Sequence, residues 1–189
     1  AGATVGQTAS VANSGKIYLS VALPSNTRAA WVYWTAASAS LGRYWRWNIT
    51  AIPDNYLEVY EVRYRYNGSW YPSTAMTSAN QPSPLVCTQS SYYSAGYEGW
   101  HAFDGSDNIW HTANVSSAWL TLDMGASNTI VPDAIGIRLV RSNSNRIPRD
   151  FSVQISPTGA FAGEQTVLFS TTSQTAWTPN VERVFEWVA

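Results

Sequence analysis

Residues 118–125 read Ala-Trp-Leu-Thr-Leu-Asp-Met-Gly, and this stretch limits the fold more than any other in the chain. Side chains of a strand alternate between its two faces, so Trp119, Thr121 and Asp123 share one face and Leu120 and Leu122 the other. Just upstream, His101-Ala-Phe-Asp-Gly-Ser-Asp-Asn-Ile-Trp110 sets a tight acidic Gly turn between Phe103 and Trp110. A turn of this kind, leading into an alternating strand that ends in Asp-x-Gly, predicts a β-sandwich with a loop that wraps a cation. It is not the pattern of an enzyme's active site.

The rest of the chain supports an all-β architecture. Strand-like runs at 16–23, 30–35, 44–52, 57–66, 119–123, 134–140, 150–156, 166–170 and 183–188 are separated by clusters of Gly, Pro, Asn and Ser. Helical periodicity is scarce. Within 57–66 the apolar phase slips between Val59 and Val62, which predicts a β-bulge. Many short strands with turns between them describe a sandwich or jelly roll. A length of 189 residues suits one such domain, or one domain with a small appendage. Residues 73–94 are rich in Ser, Thr, Pro, Gln and Asn and read as a long surface loop. A second polar loop, 141–148, contains Arg141, Asn143, Asn145 and Arg146.

Composition narrows the function classes. Charged residues make up 12% of the chain, about half the usual share. The net charge of -1 offers no broad attraction to nucleic acid or to an anionic membrane. Lys16 is the only lysine, which also argues against lipid binding through basic loops. No apolar run approaches the length that spans a membrane. The shortage of Lys and the wealth of hydroxyl and amide side chains fit an extracellular or virion surface. Cys87 is the sole cysteine, so no intrachain disulfide forms, and a bacterial or phage source is expected. Cys87 itself is expected to be an inert buried thiol. Ten Trp and eleven Tyr supply large rigid contact surfaces, most for the core and some for stacking on sugars.

From residue 78 to 156 the pattern resembles the discoidin family, also called coagulation factor V/VIII type C domains, whose fold is shared by family-32 carbohydrate-binding modules. The matching pieces are Ala102-Phe-Asp-Gly105, Trp110, Trp119-Leu-Thr-Leu-Asp-Met-Gly125 and Arg146-Ile-Pro-Arg-Asp-Phe-Ser-Val-Gln-Ile-Ser156. The N-terminal runs Arg43-Tyr-Trp-Arg-Trp-Asn-Ile-Thr50 and Tyr56-Leu-Glu-Val-Tyr-Glu-Val-Arg-Tyr-Arg65 look like strands that close the domain in that family. Here they come first, and the chain ends at Val184-Phe-Glu-Trp-Val188, similar to the strand that normally precedes them. The resemblance implies a discoidin-like jelly-roll β-sandwich over 43–189, in permuted strand order as in phage modules. An alternative is a chain cut from a tandem array. Residues 1–42 then form a β extension, an attachment element or an oligomer contact.

Two sites follow. The Asp-Gly turn offers Asp104 and Asp107 as hard oxygen ligands for calcium, with Gly105 letting the chain fold tightly. By the resemblance, Asp104 and Glu61 match the family's Asp and Glu ligands of a structural Ca2+. Asn108-Ile109 stands where the family has one more residue, and a Thr, before the Trp. The alternative is a turn held by Asx hydrogen bonds alone. The second site is a glycan-binding face, which needs rings for the apolar side of a sugar and fixed polar groups for its hydroxyls. Candidates are Tyr97, Trp100, His101, His111, Arg141, Asn143, Asn145 and Arg146, with Tyr92 and Tyr93 nearby. For Arg146 the alternative is an ion pair with Asp150 or Asp123, and for His111 a packed imidazole. Trp110 and Trp119 are assigned to the core.

No phosphate loop, zinc spacing or nucleophile elbow occurs, and Asp104 and Asp107 sit too close in one turn to flank a glycosidic bond. The expected function is a non-catalytic carbohydrate-binding module of a phage virion or bacterial surface protein, with glycans as partners. The alternative is a structural virion protein, a capsid decoration or tail component. That role makes contact with other subunits or with copies of itself, without nucleic acid and without membrane insertion.

Overall fold

Alternation of indoles with polar residues makes Tyr44–Ala51 a strand with one buried and one open face. Trp45, Trp47 and Ile49 are buried, while Tyr44, Arg46 and Asn48 lie on the other side. In the computed structural model, residues 42–128, 130–140 and 145–187 are described. The strands expected at 16–23 and 30–35, and nearly all of the N-terminal element, lie outside these residues.

Among the described residues ten strands follow in chain order: β1 Tyr44–Ala51, β2 Glu58–Tyr66, β3 Ser69–Tyr71, β4 Val86–Gln89, β5 Trp110–His111, β6 Ala118–Asp123, β7 Ala134–Leu139, β8 Asp150–Ser156, β9 Thr166–Thr171 and β10 Glu182–Glu186. A short 3-10 turn, Gly99–Phe103, precedes the Asp-Gly turn. One sheet has the order β4-β6-β1-β8-β9. The other runs β10-β7-β2-β3, with β5 also paired to β2. All pairings are antiparallel. The two sheets pack face to face as an all-β sandwich. Among the described residues no helix is long and apolar enough to cross a membrane.

Seven expected strands occur within two residues of their expected ends. The phase slip is a register shift in the β2–β7 pairing between Val59 and Glu61. The stretch 73–94 is not one continuous loop. It contains β4, where Cys87 turns inward and Val86 and Thr88 outward along the edge of β6. Its prolines and hydroxyl residues masked a strand only four residues long. Cys87 is buried, and burial pushes its thiol pKa up, which keeps it unreactive.

Aromatic edges join the two sheets. Trp45 meets Tyr64 edge-on at 5.3 Å between ring centroids and Trp47 meets Trp110 at 6.3 Å, while within its own sheet Trp47 also meets Phe151 at 5.9 Å. Near the far end Phe151 packs on Phe185 of β10 at 5.0 Å. The Asp-x-Gly signature closes β6. Asp123 accepts both nitrogens of the Arg43 fork at 2.6 Å and the Gly125 N–H at 2.8 Å. Gly125 takes φ +88 there, and a Cβ would lie 2.7 Å from Pro84.

Trp110 is fully buried as expected. Trp119 is only half-buried, because it points to the outer face of its sheet, where the guanidinium of Arg46 covers it at 4.3 Å. Trp47 has the opposite fate, fully enclosed between the sheets. Replacing it with Ala leaves a cavity that the surrounding rings only partly fill. Urea denaturation of Trp47→Ala is expected to show a loss of about 3–5 kcal/mol; a loss below about 1 kcal/mol would contradict its place at the centre of the core.

Candidate functional site

The candidate glycan residues divide into two groups at the ends of β2 and β5. His111 pairs with Glu58 across these strands and brings a carboxylate and an imidazole together at the start of β2. The loop 90–97 is pinned over them by its backbone. The Tyr93 N–H donates to the His111 carbonyl at 2.8 Å, and the His111 N–H donates to the Tyr97 carbonyl at 3.3 Å. Tyr93 therefore lies on the imidazole, with centroids 4.9 Å apart and planes within 15°. Tyr97 and Tyr56 approach the same ring, each at 5.6 Å.

Arg146 closes this group. Its guanidinium donates to the buried Glu58 carboxylate and, through Nε, to Asp54 Oδ2 at 3.1 Å. It also lies 5.1 Å from the Tyr56 ring centre. The expected alternative partners of Arg146 were Asp150 and Asp123. Asp123 is instead taken by Arg43, and Asp150 pairs with Arg149 and receives the Ser173 N–H. Asn145 is exposed, and its carbonyl accepts the Asp54 N–H at 3.0 Å, which ties the loop before β2 to the Arg146 segment. Arg141 and Asn143 lie outside the described residues.

The result is an open cleft of about 400 Å³, lined chiefly by Tyr56, Glu58, Tyr93, Tyr97, His111 and Arg146. That is within the size range of small-ligand sites. Three aromatic rings form its wall, and a carboxylate, an imidazole and a guanidinium form its polar side. Tyr93 is 58% exposed, so its ring is available to a ligand. Tyr56 and Glu58 were missed from sequence. Glu58 does not stand out in sequence, because the same strand also carries Glu61, Arg63 and Arg65, and its partner is 88 residues away.

Trp100 and His101 belong elsewhere. They pack ring against ring at 3.8 Å beside the Asp-Gly turn. His101 is buried, with Nδ1 2.9 Å from Asp104 Oδ2 and Nε2 3.6 Å from Glu98. Asp104 also accepts the Ser106 N–H at 2.8 Å and the Asn108 amide at 3.0 Å. Burial pulls the Asp104 carboxyl upward, but these hydrogen bonds prevail and hold it below the usual range. Gly105 takes φ +68 and donates its N–H to Glu61 Oε2 at 3.1 Å. Asp107 faces away from this pair and binds Arg138 at 2.7 Å. Asx-type bonds thus shape the turn, and Glu61 and Asp104 flank it. Among the described residues, no cluster of three or more His, Cys, Asp or Glu side chains is placed to hold a metal ion. A calcium ion here would have to draw on backbone oxygens as well.

Comparison with protein-family models, with curated proteins and with solved structures returned no match to this chain.

Glu61 gives the turn a pH signature. Burial, and then the charge of Asp104, push its carboxyl from the ordinary 4.5 up to about 8, against the opposing pull of the Gly105 N–H, Arg138 and Arg63. An acid whose folded pKa is raised favours folding below its unfolded pKa and loses that contribution as pH rises through the folded one. The metal-free protein is expected to melt at progressively lower temperature between pH 4.5 and pH 8. Glu61→Gln is expected to flatten that slope in thermal scans across the same range; an unchanged slope would assign it to another group.

Proposed function

We propose that this chain is a non-catalytic carbohydrate-binding module, discoidin-like in its permuted strand order, carried on a phage virion or a bacterial surface protein. The observation that carries the reading is the cleft in which the exposed Tyr93 ring stacks on His111 beside the Arg146–Glu58 pair. An aromatic face suits the C–H side of a sugar ring, and fixed charged donors and acceptors suit its hydroxyls. Glu58 and Arg146 hold each other in place, so the polar groups meet a ligand with little rotamer freedom left to lose. No nucleophile or acid pair is needed for such a role.

In this reading Glu61 and Asp104 hold a structural Ca2+, whose charge would add to that of Arg138 and Arg63 beside Glu61. Asp107, engaged with Arg138, stays outside the ligand set. A second reading is a protein-contact role in a virion. It draws on Val167 and Val184, both exposed on the edge strands β9 and β10, since open edges favour pairing with another chain. The two roles are compatible, because assembly into multimers strengthens weak glycan sites.

A glycan array probed with the chain displayed multivalently tests the proposal. A defined set of sugars is expected to bind. Tyr93→Ala is expected to lower binding by tenfold or more while leaving the melting temperature unchanged. A blank array from folded protein would transfer support to the protein-contact reading. In the same experiment, calcium is expected to raise the melting temperature at pH 8 and a chelator to reverse the rise. No response to calcium would remove the ion from the proposal.

A further inference from the structure

The outer face of the first sheet has a built aromatic feature that the cleft does not use. Arg46 extends across it between two rings, 4.3 Å from the centre of Trp119 and 3.5 Å from that of Phe161. Its Nε donates to Thr121 Oγ1 at 2.8 Å. Phe161 holds this position in a left-handed conformation, φ +50, which a bulky side chain adopts only under constraint. The constraint is Glu164. Its carboxylate accepts the Ser156 hydroxyl at 2.6 Å, the Phe161 N–H at 2.8 Å and the Ala162 N–H at 2.7 Å. A whole turn is thus organised to set a ring on the outside of the sheet.

Beside this stack lies a groove of about 410 Å³ lined by Asn48, Thr50, Ser90, Ser117 and Trp119. Among the described residues the lining contains an amide, hydroxyls, an indole and small apolar groups, and no ionisable side chain. Among the described residues the Asn48 carboxamide, the Ser117 hydroxyl and the Trp119 indole N–H have no hydrogen-bond partner, so they remain available to a ligand. The nearest cation, Arg46, is held between Trp119 and Phe161 and bonded to Thr121 rather than lining the groove. Such a lining matches an uncharged chain of polyhydroxylated rings. The groove is also close to the cleft. Ser90 lines one and Tyr93 the other, and three residues of chain span at most about 10 Å.

We infer that the Trp119 groove is a second glycan subsite, so that the ligand is an extended neutral polysaccharide reaching both this groove and the Tyr93 cleft. This rests on the glycan-binding reading of the cleft and adds the length and charge of the ligand. The part of the Trp119 indole that lines the groove, beside the Arg46 stack, packs on one sugar ring, and Asn48 and Ser117 hydrogen-bond its hydroxyls.

Native affinity electrophoresis of the full chain tests it, in gels containing galactomannan, xyloglucan, β-glucan or dextran, with alginate and heparin as acidic counterparts. At least one neutral polymer is expected to retard the protein, and neither acidic polymer. Trp119→Ala is expected to weaken retardation by tenfold or more, Trp119→Phe to restore part of it, and Asn48→Ala to weaken it by a smaller factor without changing the melting temperature. Binding of monosaccharides and disaccharides, measured by calorimetry, is expected to survive Trp119→Ala and to be lost in Tyr93→Ala. If Trp119→Ala and Asn48→Ala bind the polymer as the wild type does while Tyr93→Ala does not, the second subsite is refuted and the cleft stands. Retardation by the acidic polymers alone also refutes it. Folded wild type that binds neither polymer nor short sugar removes both readings together.

Discussion

The edge-on contacts of Trp47 with Trp110 and Phe151 are the interaction on which the rest of the sandwich depends. β1 lies in the middle of its sheet, between β6 and β8, so its indoles meet the opposite sheet at its centre. Trp110 is also the first residue of β5, which carries His111 into the cleft. Burial of Trp110 against Trp47 therefore fixes the base on which Tyr93 and Tyr97 rest. A packing contact in the core and the orientation of an imidazole at the surface are parts of one arrangement.

β1 does this with one face and builds a different surface with the other. Trp45, Trp47 and Ile49 enter the core, and Arg46 and Asn48 face outward between Trp119 and β8. The period-two geometry of a strand makes the division unavoidable: shifting the register by one residue would drive Arg46 into the core and expose the indoles. A neighbouring ion pair and a side-chain hydrogen bond guard against that slip. Arg43 holds Asp123 at the start of the β1–β6 pairing, and Arg46 holds Thr121 two residues on.

Where the signal was local, the sequence could be read well. Alternation in β6 placed the strand and its two faces, the run at 150–156 placed β8, and the slip between Val59 and Val62 located the register shift in β2. Short strands escaped because two to four residues cannot display a period, as in β5 and β4. The Asp104–Glu61 juxtaposition was anticipated through the family resemblance, whereas Arg138 capturing Asp107 was not, since it joins positions 31 residues apart. In the cleft, Tyr97, His111 and Arg146 were legible as loop residues rich in binding chemistry. Tyr56 and Glu58 were not, because their role comes from the β2–β5 register rather than from their neighbours in sequence. Trp119 went to the core on the strength of its motif, although its own alternation with Leu120 and Leu122 had already put it on the opposite face.

The central claim is that a sugar is held against Tyr93, His111 and Arg146. A titration of isotopically labelled protein with the strongest glycan-array ligand, followed by amide and aromatic NMR shifts, tests it most directly. The account predicts shifts that saturate together and cluster on residues 56–58, 93–97, 111 and 146. Saturating shifts confined to the β9 and β10 edges, with the cleft signals unmoved, would contradict it.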